Sequence, residues 1–82
     1  MGFGKDEDRE IALLQAQQFV ALGHVDREQS LYAEAIKNYT AAQDIYKRLD
    51  HSPGRIQALN GLGNAHVDQG RYEESLEYYR EG

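Results

Sequence analysis

Leu62-Gly63-Asn64-Ala65, followed by Tyr72 and Tyr79, repeats a pattern that first occurs around Leu22-Gly23. The two copies lie 40 residues apart, and identical residues align at Leu22/Leu62, Gly23/Gly63, Gln29/Gln69, Tyr32/Tyr72, Glu34/Glu74 and Tyr39/Tyr79. A period of this length is typical of repeat arrays, in which each unit buries its apolar face only against its neighbours. The sequence therefore predicts an all-α repeat fold that works through an exposed surface and not through a closed catalytic pocket.

The composition limits the chain to one small domain. It has 82 residues and no cysteine, which excludes disulfides and thiolate metal sites. The formal charge is −5, and the scattered basic residues lack the clustered positive charge that a phosphate backbone requires. No apolar run reaches the ~20 residues of a membrane span, and no segment resembles a signal peptide. We therefore expect a soluble, cytoplasmic protein with no nucleic-acid and no membrane partner.

The apolar spacing predicts two helices in the first half of the chain. Residues 1–5 lack periodicity and are expected to be disordered. The first helix is predicted from about Asp6 to Glu28, with an inward face formed by Ile11, Leu14, Phe19, Leu22 and Val25. The second is predicted from its cap Ser30 to about Leu49, with an inward face formed by Tyr32, Ala35, Ile36, Tyr39, Ala42, Tyr46 and Leu49.

Two more helices are predicted after the connector that contains the only proline. Ser52 suits the cap position and Pro53 the first helical position, because proline lacks an N–H that would have no partner there. The third helix is expected to end near Gly70, with Ile56, Leu59, Leu62, Ala65 and His66 on one side. A fourth, truncated helix is expected from Tyr72, with Leu76 and Tyr79 inward. The domain would span residues 6–82, with one repeat at about 6–50 and a second at about 53–82.

Glycines inside predicted helices require a packing explanation, since each costs about 0.5 to 1 kcal/mol relative to alanine. Gly23 is predicted to face Ala35, and Gly63 to face Ser75, so that paired helices approach closely. Close helix contact would account for the recurrence of glycine in both copies.

The residues around Gly63 and from Gln69-Gly70-Arg71-Tyr72 to Tyr79 closely resemble the tetratricopeptide repeat, abbreviated TPR. The first copy departs from it, with Asp26 at the tyrosine position and Ser30 at the turn glycine. The resemblance covers residues 16–81. Its 40-residue period is similar to the longer repeats of kinesin light chain, of Pins-type spindle-orientation scaffolds and of some bacterial regulators, and the sequence does not choose among them.

The resemblance implies a right-handed superhelical solenoid of stacked antiparallel hairpins, here two repeats with about four helices. It further implies a non-catalytic interaction module that binds a protein or peptide partner in a concave groove, as part of a larger scaffold or regulator. The groove positions carry over to Gln17, Val20, His24, Arg27, Gln57, Asn60, Asn64, Val67 and Asp68. Asn64 is the strongest candidate, because an amide both donates to and accepts from a peptide backbone. The alternative is that these residues are only solvated.

A second hypothesis is structural self-association, either as a homodimer through exposed terminal repeat faces or by swapping helices, because two repeats leave both ends of the array uncovered. Light scattering would separate the two ideas.

Catalytic and metal chemistry find no support in the sequence. His24, His51 and His66 lack ligand spacing, and His66 falls at a family tyrosine position, which predicts a partly buried packing role. No nucleophile, base and orienting group can be assembled. We expect no enzyme activity, no metal and no cofactor. Arg27 alone is a weak candidate for clamping a peptide carboxylate, since the family's groove lysines are missing.

Overall fold

Three α-helices form the part of the chain that the structure describes. The computed structural model describes the backbone of residues 3–81 and the side chains of residues 8–77 and 80. Helix α1 spans Phe3–Glu28, α2 spans Tyr32–Arg48 and α3 spans Ser52–Glu81, with no strand anywhere in residues 3–81. The all-α prediction is confirmed. Of the segment predicted to be disordered, residues 3–5 belong to α1, and Met1 and Gly2 lie outside the described residues.

Helix α2 lies between antiparallel neighbours. Near the first turn, Asn38 of α2 donates to the carboxylate of Asp26 of α1 at 2.6 Å. At the far end, Arg9 of α1 donates to the carbonyl of Leu49 just beyond α2, at 2.9 Å. Helix α3 returns along the other side of α2, which packs against both helices, whereas α1 and α3 touch each other less. The first hairpin and the antiparallel third helix agree with the predicted helical hairpins. The predicted fourth helix is not found in residues 3–81, where α3 continues to Glu81.

Both interhelical turns use a residue other than glycine in the left-handed region. Ser30 has φ 62° and Asp50 has φ 54°. At each turn the next amide donates back to the preceding helix, from Leu31 to the Asp26 carbonyl at 2.7 Å and from His51 to the Tyr46 carbonyl at 2.9 Å. This is the Schellman closure, which glycine normally provides. Ser30 thus ends α1 and does not cap α2, which has no side-chain cap hydrogen bond.

Helix α3 is capped by His51 and not by Ser52 as predicted. The amide of Gly54 donates to Nδ1 of His51 at 3.1 Å, and the amide of Arg55 donates to the His51 carbonyl at 3.0 Å. Pro53 therefore sits at the second helical position. The prediction that a new helix starts at the connector is confirmed, with the cap shifted by one residue.

The core is built mainly from small side chains around two tyrosines. Its buried residues are Ala16, Val20, Ala35, Tyr39, Ala42, Ile45, Tyr46, Ala58 and Ala65. The inward face predicted for α2 is therefore confirmed at its centre.

The inward faces predicted for α1 and α3 are largely wrong. Ile11, Leu14, Leu22 and Val25 point away from the core, and Ile56, Leu59 and His66 are also exposed. Phe19 and Leu62 of the predicted faces pack against the core, and Ala65 is buried in it. Around the Tyr39 ring the contact sides carry glycine and alanine, because large residues there would hold the helices too far apart to enclose it.

The prediction that glycine lets the helices approach closely is confirmed, but the residues that pack against the glycines differ from those predicted. The Tyr39 ring lies between Gly23 of α1 and Gly61 of α3: a Cβ added to either would come within 2.6 Å and 2.5 Å of Cε1, respectively. Gly54 is packed in the same way against Tyr46. The predicted role of Gly63 is wrong, since a Cβ there would meet nothing within 4 Å.

The predicted end of the third helix at Gly70 is also wrong, because α3 continues through it. Glycine tolerates the left-handed conformation but does not require it, and none of the glycines described has positive φ. The straight course keeps Tyr72 against Tyr32, with ring centroids 6.0 Å apart in an edge-to-face arrangement. Tyr72 and Leu76 remain 49% and 41% exposed, and the side chain of Tyr79 lies outside the described set.

Candidate functional site

Polar side chains of α1 and α3 converge where these two helices meet. Arg27 of α1 binds Asp68 of α3 through Nε and Nη2, at 3.2 and 3.1 Å from the same carboxylate oxygen. Both side chains keep a little over a quarter of their surface exposed. The pair brings together two of the predicted groove residues, from repeat copies that are far apart in the sequence.

Tyr39 connects this pair to the core. Its hydroxyl lies 2.6 Å from Nδ1 of His24, and the two rings meet edge to face with centroids 5.4 Å apart. Interaction with the Tyr39 hydroxyl is also the largest influence on the pKa of Arg27 and raises it, while burial opposes the rise and Asp68 adds to it. The guanidinium therefore stays charged.

A shallow depression of about 360 Å³ opens at this junction, lined by His24, Arg27, Glu28 and Asp68. The sequence analysis missed Glu28. Its position four residues after His24 places both side chains on one side of α1, a signal that was available. The depression carries two carboxylates and one guanidinium, so it favours hydrogen-bond donors or a cationic group over a peptide carboxylate.

A row of amides continues along α3 from the junction. Gln57, Asn60 and Asn64 are exposed, and their spacing of three and four residues places them on one helical side, one turn apart each, leading to Asp68. Gln17 is exposed on α1. We call Gln17, His24, Arg27, Gln57, Asn60, Asn64 and Asp68 the α1–α3 surface.

Of the two predicted valines of the groove, one is buried beneath this surface and the other lies at its edge. Val20 is only 4% exposed and packs in the core, so the prediction that it lies off the apolar face is wrong. Val67 is 51% exposed and lies at the edge of this surface, since its separation of seven residues from Asn60 places the two on nearly the same side of α3. The carboxylate clamp at Arg27 is disfavoured, because Asp68 already occupies the guanidinium.

The histidines have separate local roles. His24 pairs with Tyr39, and His51 caps α3 and stacks on Tyr46 with ring centroids 5.3 Å apart. His66 is exposed, so the predicted packing role is wrong. Among the described residues, no cluster of three histidine, cysteine or acidic side chains has metal-binding geometry. No helix in that part of the chain is both long and apolar enough to cross a membrane.

Comparison with known families agrees with this architecture. A family model described as the tetratricopeptide repeat matches residues 12–82. The chain belongs to the tetratricopeptide-repeat family. Comparisons with curated proteins and with solved structures gave no match. The match confirms the resemblance drawn from the residues around Gly63, and it includes the part of α3 beyond Gly70.

Tetratricopeptide repeats are protein–protein interaction modules and are typically non-catalytic. Each unit of the family is a helix–turn–helix. In this chain α1 and α2 form one such pair, whereas α3 covers the length of a second pair without a turn. The partner class, a protein, thus follows from family membership.

Proposed function

We propose that the chain binds an extended peptide segment of a protein partner along the α1–α3 surface, within a larger scaffold or regulator. The observation that supports this most is the exposed row of Gln57, Asn60 and Asn64 beside the Arg27–Asp68 pair. None of these three amides has a hydrogen-bond partner among the described side-chain bonds, so all remain available for a ligand.

The amides of α3 repeat at intervals somewhat shorter than those of an extended peptide, a difference that their rotatable side chains can span. Residues three and four apart on a helix rise about 4.5 to 6 Å, and alternate residues of an extended strand repeat at about 6.6 to 6.8 Å. Each amide both donates and accepts, so it can satisfy the N–H and C=O of one peptide unit. Binding by backbone hydrogen bonds would make the surface tolerant of peptide sequence.

The charges of the α1–α3 surface favour one class of peptide over another. Arg27 is neutralised by Asp68, and Glu28 leaves the depression acidic. With a net charge of −5 on the whole chain, a basic or neutral peptide meets less resistance than an acidic one. We infer that a lysine or arginine of the ligand lies against Glu28 and Asp68.

A peptide-display library selected on the purified chain supplies the probe for a test. Calorimetry with a selected peptide should show that Asn60→Ala combined with Asn64→Ala weakens binding at least about tenfold, equivalent to ~1.4 kcal/mol. Gln15→Ala, an exposed amide on another side of α1, is the matched control and should leave binding unchanged. The melting temperature should stay the same in both. Unchanged affinity in the double variant would remove the peptide from this surface.

A further inference from the structure

The side of α1 that faces away from the core carries an apolar stripe. We call Ile11, Leu14, Gln18, Leu22 and Val25 the α1 stripe. Its four apolar members are 54%, 58%, 50% and 47% exposed. A shallow apolar depression lies along it, lined by Gln18, Ala21, Leu22 and Val25. Four large residues half exposed on one helix side form a patch of the kind that marks an interaction site.

The outward side of α3 carries a second stripe with the same spacing. We call Ile56, Leu59, Gly63, Val67 and Gly70 the α3 stripe. Its three apolar side chains are 58%, 41% and 51% exposed. The two glycines border open space, since a Cβ at either would meet nothing within 4 Å. The stripe is therefore a row of apolar side chains interrupted at two positions, Gly63 and Gly70, that have no side chain.

The two stripes complement each other in shape. Both follow the spacing three, four, four, three along their helices. If the helices lie side by side, parallel or antiparallel, the central Gln18 comes opposite Gly63. The second position without a side chain, Gly70, then lies opposite Val25 in the parallel arrangement or opposite Ile11 in the antiparallel one. The one polar member of the α1 stripe thus meets a position without a side chain, and the apolar members meet one another.

The charges beside the stripes are opposite in sign over part of their length. Asp8, Glu10 and Glu28 flank the α1 stripe and are exposed. The arginines of α1 with described side chains are engaged elsewhere, Arg9 with the Leu49 carbonyl and Arg27 with Asp68. Exposed Arg55 and Arg71 flank the α3 stripe, where the single acidic residue between them, Asp68, is held by Arg27. Exposed Glu73 and Glu74 follow the stripe beyond Gly70, so the positive charge is confined to the part of the stripe that ends at Arg71.

We propose that the α1 stripe of one copy packs on the α3 stripe of a second copy, in a head-to-tail interface. The pair then presents one free α3 stripe on the first copy and one free α1 stripe on the second. Such an interface is heterologous, so it propagates into a chain of copies or closes into a ring. In this assembly α1 of the next copy lies over the part of α3 that has no neighbour in the single chain.

The test uses two variants that each block one stripe with a buried charge. Leu22→Asp removes the α1 stripe and Leu59→Asp removes the α3 stripe; both positions are exposed, so the single chain should keep its helical circular dichroism. By light scattering, the unmodified chain should gain mass with concentration. Each variant alone should stay monomeric, and an equimolar mixture should form a dimer that grows no further. Thr40→Asp, on an exposed position of α2, is the control and should associate like the unmodified chain.

Three results would overturn the proposal. A strictly monomeric unmodified chain would mean that residues beyond Gly70, or nothing, cover the α3 stripe. Continued association of Leu59→Asp would indicate contact between two α1 stripes. Failure of the mixture to form dimers would exclude the pairing of unlike stripes. If an aspartate variant unfolds, Arg55→Glu with Arg71→Glu serves instead: it should weaken association at least about tenfold, and unchanged association would contradict the charge pairing.

Discussion

Gly61 of α3 supports one face of the buried Tyr39 ring so closely that a methyl group there would lie 2.5 Å from Cε1. The ring cannot move aside, because Gly23 lies on it from α1 and His24 holds its hydroxyl. Tyr39 is fully buried. The second glycine of the same sequence motif, Gly63, borders open space instead.

Gly61→Ala and Gly63→Ala should therefore change stability in opposite directions. Overpacking at position 61 should lower the free energy of unfolding by ~1 to 3 kcal/mol. At position 63 alanine should raise it by up to about 1 kcal/mol, through helix propensity alone. Urea unfolding of both variants at one low protein concentration measures the difference. Equal effects of the two substitutions would contradict the described packing of Tyr39.

Ser30→Gly should stabilise the protein. Ser30 adopts φ 62°, a region that costs residues other than glycine about 1 to 2 kcal/mol. Part of this gain is offset by the backbone entropy of glycine, so the net increase should be up to ~1 kcal/mol, or ~4 to 8 °C in melting temperature. Gln29→Gly, one residue earlier and without positive φ, is the matched control and should lower the melting temperature.

The Arg27–Asp68 pair should contribute little to stability despite its two hydrogen bonds. Both side chains are partly exposed, and pairs in such positions are worth ~0.2 to 1 kcal/mol. A double-mutant cycle with Arg27→Gln and Asp68→Asn should give a coupling in this range. It should shrink in 1 M salt, where the screening length falls to about 3 Å. A coupling that salt does not reduce would show that the pair is more deeply shielded than its exposure indicates.

Tyr46 should make the protein less stable in alkali. Burial raises the pKa of Tyr46 above its ordinary value, so the neutral phenol is favoured in the folded state. The contribution of the neutral Tyr46 phenol to the free energy of unfolding is complete below the unfolded pKa of about 10. It is lost as the pH rises through the folded pKa. The urea concentration at the unfolding midpoint should decrease for the unmodified chain as the pH rises above about 10, and it should decrease less for Tyr46→Phe. Tyr72→Phe, at a half-exposed position, is the control and should behave like the unmodified chain.

Periodicity predicted the extents of α1 and α2, and the repeated motif predicted the family. It did not predict which side of α1 and α3 faces the core. Both helices have two sides with apolar character, one of small residues such as Ala16 and Ala58 and one of large residues such as Leu14 and Ile56. Hydrophobicity favours the large residues, whereas packing around the Tyr39 ring selects the small ones, and this selection depends on the three-dimensional contact.

The sequence predicted most of the residues of the candidate site but not how they are arranged. His24, Arg27 and Asp68 meet as expected for one surface. Val20 was misplaced because family positions do not distinguish a groove wall from the core beneath it. The turn at Gly70 could not be decided from sequence, since a glycine followed by good helix formers is compatible with a bend or with a straight helix.

The ring of Tyr39 makes the three helices a single folding unit. Neither α1 nor α3 can leave without uncovering it, so the segment from Ala12 to Gln69 should melt in one concerted transition, and its amide hydrogens should exchange with deuterium together. Residues of α3 after Gly70 touch this unit only at its edge, where half-exposed Tyr72 meets Tyr32, and their amides should exchange at a lower free-energy cost. The boundary between slow and fast exchange would thus fall within one continuous helix.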